Sequence, residues 1–141
     1  MADLLPSHIQ LEVVTPDRQV VHESVEAVTV PGKRGYLGIL PGHAPLLSEL
    51  APGEIVYTSG GAKRYLAVSW GFAEVLPNRV IVLAQTAELA EEIDLKRAEE
   101  ALTHAEGLLK KVDDASIDRD RAQEAYQKAL ARLQAARHKD V

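Results

Sequence analysis

Residues 80–102 read VIVLAQTAELAEEIDLKRAEEAL. Val80 to Ala84 form an aliphatic run that suits a strand, whereas Ala98, Ala101 and Leu102 begin a three- and four-residue spacing that suits a helix. The grammar of the chain therefore changes inside this stretch, near 85–88. Punctuation changes with it: all seven prolines and eight of the nine glycines precede residue 78, and Gly107 is the one such breaker after residue 88. Upstream, alternations such as His8-Ile9-Gln10-Leu11-Glu12-Val13 are separated by turn signals at Thr15-Pro16-Asp17, Pro31-Gly32, Pro41-Gly42, Pro52-Gly53, Ser59-Gly60-Gly61 and Pro77-Asn78. Short strands at such intervals predict a β-sandwich or barrel.

Downstream, Ala98, Ala101, Leu102, Ala105, Leu108, Leu109 and Val112 mark one amphipathic helix, and Ala122, Ala125, Tyr126, Ala129, Leu130, Leu133 and Ala136 a second. Between them lie Asp113, Asp114, Ser116 and Asp118, all good N-caps. The segment predicts an antiparallel helical hairpin. Half of its apolar stripe is alanine, which stabilises docking far less than leucine does. A moving hairpin and a static one are both compatible with such a stripe.

The 141-residue chain is 46% hydrophobic, enough for a real core, and holds no cysteine, which excludes disulfides and thiolate zinc sites and fits a reducing cytoplasm. The N-terminal MADLLPSH lacks a secretory pattern, and the longest aliphatic run is far short of the ~20 residues of a membrane span. A net charge of -5 argues against nucleic acid as a partner.

Few residues suggest chemistry. His43, in the stretch Gly35-Tyr36-Leu37-Gly38-Ile39-Leu40-Pro41-Gly42-His43-Ala44-Pro45, has no second histidine or carboxylate within four residues, which disfavours metal binding and leaves a turn cap or a contact side chain. The other histidines are scattered and no Gly-x-Ser-x-Gly elbow or Walker A sequence occurs, so neither a catalytic residue nor a metal site is expected. Gly32-Lys33-Arg34-Gly35 matches a phosphate-gripping GxxG loop, but strand-like flanks make it a basic β-turn. Arg121, Lys128, Arg132 and Lys139 lie within about 20° of one line at 3.6 residues per turn. Residues 88–124 carry twelve Asp or Glu against six Lys or Arg, and residues 125–141 one against four, so the hairpin is electrically polarised. This basic stripe is either a solvated helix face or a dock for an acidic surface.

The stretch GYLGILPGHAPLLSELAPGEI resembles the epsilon subunit of bacterial F-type ATP synthase. Leu11-Glu12-Val13-Val14-Thr15-Pro16 is similar to the first strand and turn of that family, Trp70-Gly71-Phe72-Ala73-Glu74-Val75 to its Gly-Phe-x-Glu-Val strand, and Ile93-Asp94-Leu95-Lys96-Arg97-Ala98 to the motif opening its first C-terminal helix. The resemblance implies a β-sandwich of about eight to ten short strands over 1–87, binding the gamma subunit and c-ring, and a regulatory two-helix hairpin over 88–141. It implies a non-catalytic rotor subunit, peripheral on the cytoplasmic side of the bacterial inner membrane, without membrane insertion of its own. Gly35, Tyr36, Leu37, Gly38, Pro41, Gly42, His43, Ala44 and Pro45 would then form a partner contact, with Tyr36 standing where the family often has an acidic residue. In the family the hairpin opens and inhibits ATP hydrolysis at the catalytic alpha and beta subunits, a role that Arg121, Lys128, Arg132 and Lys139 would serve here. No cofactor is implied, but some members bind ATP as a regulatory ligand. Ile93, Asp94, Arg97, Ala98 and Arg132 match that site, while Lys128 and His104 stand where arginine is usual, and a lysine or histidine lacks the bidentate fork of arginine. An ATP-sensing switch is the alternative reading, and a cupin-like enzyme built on His43 a third.

Overall fold

Period-two burial drives the first part of the chain into strands and three-to-four spacing drives the last part into helices. The computed structural model describes residues 5–111 and 113–138. Among these, eight strands come first: β1 (Ile9–Val14), β2 (Gln19–Val25), β3 (Ala27–Gly32), β4 (Gly35–Ile39), β5 (Leu46–Leu50), β6 (Gly53–Ser59), β7 (Ala62–Leu76) and β8 (Arg79–Leu89). A 3-10 turn at Ala90–Glu92 leads to α1 (Leu95–Leu109) and α2 (Arg119–Ala136). Sandwich and hairpin agree with expectation, with two corrections. The strands are not all short, since β7 has 15 residues and β8 has 11. β8 also continues to Leu89, beyond the expected boundary at 87/88, because Ala87 and Leu89 still pack on the sandwich core.

The strands run in the order β2-β1-β8-β7-β5-β3-β4, with β6 bridging β3 and β7, and the sheet folds over its own core. β7 makes the fold possible by pairing with β6 along Ala62–Val68 and with β5 along Gly71–Val75. Between the two stretches Trp70 adopts φ 36, which resets the alternation of faces. Leu66 and Val68 point into the core before it, and Ala73 and Val75 after it. β8 makes the same change opposite, from Val80, Val82 and Ala84 to Ala87 and Leu89, while its register with β7 is unbroken from Ser69↔Thr86 to Gly71↔Ala84. Ser69, 1% exposed, finds its partner there in the Thr86 hydroxyl, so its burial leaves no polar group orphaned. A Cβ on Gly71 would lie 1.8 Å from the Leu83 carbonyl oxygen, so only glycine fits.

Asp94 and Asp118 cap the two helices, accepting hydrogen bonds from the backbone N–H groups of Arg97 and Arg121. The expected apolar position Val112 lies outside the described residues, and α1 ends at Leu109. Arg119 Nη2 donates to the Leu109 carbonyl at 3.1 Å, joining the near ends of the helices. At the far ends Ile93 and Ala98 pack with Ala131, Leu133, Ala135, Ala136 and, from β7, Ala67. The hairpin is thus antiparallel. Its buried side on α2 is alanine except for Leu133, which confirms the thin apolar contact expected from the sequence. The junction is better fixed. Glu92 Oε1 accepts from Arg18 Nη2 at 2.8 Å and from the Leu89 N–H at 3.1 Å, and Arg64 Nη1 lies 3.5 Å from Glu91 Oε1. The Arg18 guanidinium holds the Glu92 carboxyl below its ordinary range.

Candidate partner-docking surface

Large apolar side chains lie uncovered on the outer face formed by β5, β7 and β8. Leu47 is 66% exposed, Phe72 50% and Leu83 55%. Cross-strand register aligns Glu49, Phe72, Leu83 and Val14 in one row and Leu47, Glu74 and Ile81 in the next. Side chains in register share a face, so these rows form one continuous patch. Leu47, Phe72, Glu74, Ile81 and Leu83 enclose a depression of about 160 Å³, and a groove of about 580 Å³ follows the kink past Trp70, Phe72 and Leu83.

The charges bordering the patch are mostly satisfied within the chain. Glu49 pairs with Lys33 at 3.2 Å and Glu12 with Arg79 at 2.7 Å, the latter hydrogen bond holding the Glu12 carboxyl below its usual range. Among the described residues Glu74, in the middle of the apolar rows, has no ion pair. An apolar face with one unpaired carboxylate fits an apolar partner surface that carries a cation.

The glycine- and proline-rich stretch borders this patch. A groove of about 680 Å³ runs from Gly35, Tyr36 and Leu37 to Leu46 and Leu47, so Leu47 belongs to both features. Tyr36 is 57% exposed, and its hydroxyl accepts the backbone N–H of Glu54 at 3.2 Å. Leu37 packs against the core, while Gly38, Ala44 and Pro45 are exposed and Pro41 is half-buried. Gly35 and Gly42 take φ 132 and φ 88, conformations that favour glycine, and the Gly42 N–H donates to the Pro77 carbonyl at 2.7 Å. His43 closes this turn through its N–H to the Leu40 carbonyl at 3.2 Å, and its Nδ1 lies 2.7 Å from the Ala44 carbonyl. Among the described residues no three His, Cys, Asp or Glu side chains form a metal-sized cluster.

The basic stripe is less uniform than its spacing suggests. Arg121 is exposed and Lys128 half-buried, but Arg132 is already engaged: its Nε lies 2.8 Å from Glu88 Oε1 and its Nη2 donates to Glu88 Oε2 at 3.3 Å. Lys139 lies outside the described residues. Of the residues matching a nucleotide site, Ile93 and Ala98 are buried beside the α2 segment that carries Arg132. Asp94 meets Arg97 through the backbone cap and not through the guanidinium. His104 is exposed.

Sequence reasoning missed Leu47, Leu83 and Glu74 as surface residues. The signal available was an excess of apolar residues: Leu46-Leu47 and Val80 to Ala84 are apolar on both strand faces, which only a strand covered on both sides requires.

Family models match both parts of the chain: the ATP synthase delta/epsilon chain β-sandwich domain over residues 8–90 and the long α-helix domain of the same chain over 91–137. The chain belongs to the ATP synthase epsilon-chain family. An ATP synthase epsilon chain of Herpetosiphon aurantiacus is 48% identical over 129 residues, covering 92% of this chain and 94% of the relative. That of Koribacter versatilis is 59% identical over 97 residues, covering 69% and 68%. A chain in the Euglena gracilis mitochondrial ATP synthase structure, an OSCP/F1/c-ring assembly, superposes with TM-score 0.81 at 30% identity, covering 95% of this chain and 84% of that one. The epsilon-family assignment expected from the motifs is thus borne out, together with its sandwich-plus-hairpin architecture. No helix among the described residues is long and apolar enough to cross a membrane.

Proposed function

We propose that this epsilon-family chain is the non-catalytic foot of the ATP synthase central stalk, joining the shaft to the ring on the cytoplasmic side of the bacterial membrane. The observation that carries this reading is the uncovered Leu47–Phe72–Leu83 face, an apolar area that a free-standing sandwich would have no reason to keep open. The gamma subunit covers this face and places a cation at Glu74, while the Gly35–Pro45 turn, with Tyr36 and Leu40 uppermost, meets the c-ring. Gel filtration of the purified chain with gamma tests the assignment: a stable 1:1 complex is expected, and two separate peaks at micromolar concentration overturn it.

The hairpin acts as a brake on ATP hydrolysis. Thin alanine packing supports release, and Arg121, Lys128 and Arg132 suit acidic segments of the catalytic alpha and beta subunits. Replacing the three by alanine is expected to raise hydrolysis by the assembled head without loss of assembly, and unchanged hydrolysis overturns the brake. ATP sensing by the closed hairpin is the second reading, favoured by the proximity of Ile93 and Ala98 to the Arg132 segment. A nucleotide phosphate there has to displace Glu88, so calorimetry with ATP is expected to give heat in Glu88→Gln before it does in the natural sequence.

A further inference from the structure

The last turns of α2 cross the sandwich over a row formed by Glu54, Ala67 and Glu88 in register on β6, β7 and β8. Ala67 leaves room for the helix, and the two carboxylates flank it. Glu88 holds Arg132 in an ion pair, Nε lying 2.8 Å from Oε1. Glu54 faces His138, whose Nε2 lies 3.2 Å from Glu54 Oε2, and the imidazole is stacked on Tyr65 with ring centroids 3.7 Å apart and planes 5° from parallel. The Glu54 side chain is 17% exposed and that of His138 34%.

We propose that His138, Glu54 and Tyr65 form a proton-operated latch that tightens the end of the hairpin on the sandwich as pH falls through the range in which imidazole gains its charge. The inference rests on the packing of the hairpin alone and stands apart from the rotor reading. Neutral His138 leaves the half-buried Glu54 carboxylate with at most a neutral donor. Protonated His138 gives it a cation, and lays that cation on the Tyr65 ring face. Among the described residues Arg132 is taken by Glu88 of β8 and Arg64 of β7 by Glu91 of the 3-10 turn, while Lys63 of β7 and Arg137 are exposed and neither pairs with Glu54. Burial raises the Glu54 carboxyl above its ordinary value, with His138 partly offsetting the rise. A raised value means that the docked state holds protons more tightly than the released one, so this group also favours docking as pH falls, and the contribution is lost as pH rises.

Backbone hydrogen exchange of the full chain, corrected for intrinsic rates, tests the latch. Protection of residues 129–136 is expected to increase about threefold between pH 8 and pH 6, the size of a partly exposed ion pair. His138→Gln keeps a donor but does not titrate, and Glu54→Gln keeps the shape but not the charge; each is expected to flatten that rise. Amides of β1 and β8 serve as an internal reference for an intact sandwich. If either variant retains the pH response of the natural sequence while the sandwich stays protected, the latch is overturned.

Discussion

Replacing Phe72 by serine is the most direct probe of the docking face. Phe72 is 50% exposed, so about 100 Å² of the 150–250 Å² that an aromatic side chain can bury remains open. Covering that area stabilises a complex by about 2.5 kcal/mol at 25 cal/mol per Å². Serine retains a small part of this contact, which leaves a loss of about 2 kcal/mol, or roughly thirtyfold in Kd for gamma. The isolated chain should be little affected, because the lost contacts face outward and the core-facing neighbour Ala73 is untouched. Titration calorimetry against gamma measures the first quantity and urea unfolding of the free chain the second. A variant with a natural unfolding midpoint and an unchanged Kd would refute the assignment of this face. A variant that merely unfolds tests nothing about docking, and Leu83→Ser on the same row then takes its place.

Other consequences are more local. Gly71→Ala is expected to destabilise the sandwich by about 3 kcal/mol, because its methyl group meets the backbone of β8 and not a side chain that can move; a shift in urea midpoint below a third of that size counts against the close approach. Asp118→Ala should cost about 1 kcal/mol of helix stability, read as lost protection in the first turn of α2 with the sandwich unchanged. Burial, reinforced by the Glu23 carboxylate, pushes the Tyr57 phenol from 10.0 to about 12. The folded state therefore favours the protonated phenol, and its contribution is intact below pH 10 and declines as pH rises to 12, by about 2 kcal/mol in all. Tyr57→Phe should flatten this alkaline limb of the unfolding midpoint, and an unaltered limb contradicts the assignment.

Local features were legible in the sequence. Strand boundaries follow Pro and Gly, Asp118 caps the helix that the N-cap cluster announced, and the alanine stripe correctly foretold a thin hairpin contact. What escaped was set by tertiary placement. Ile81 and Leu83 belong to a run that reads as buried on both faces, yet the sheet leaves one face open. Nothing in a tryptophan announces a left-handed backbone, so the change of facing at Trp70 was hidden even though Gly71 beside it marked a close approach. Arg132 looked like a free cation because its partner Glu88 is 44 residues away, and the docking of His138 on Tyr65 and Glu54 depends equally on how the helices return over the sheet.

The kink at Trp70 leaves β7 and β8 continuous from the Phe72–Leu83 patch to the Ala67 row under α2. Torque delivered at one end would have to travel to the other as shear along two strands that keep one register past the kink, with no loop between to absorb it. A rotary load would thus reach the seat of the helices along the two longest strands of the sandwich.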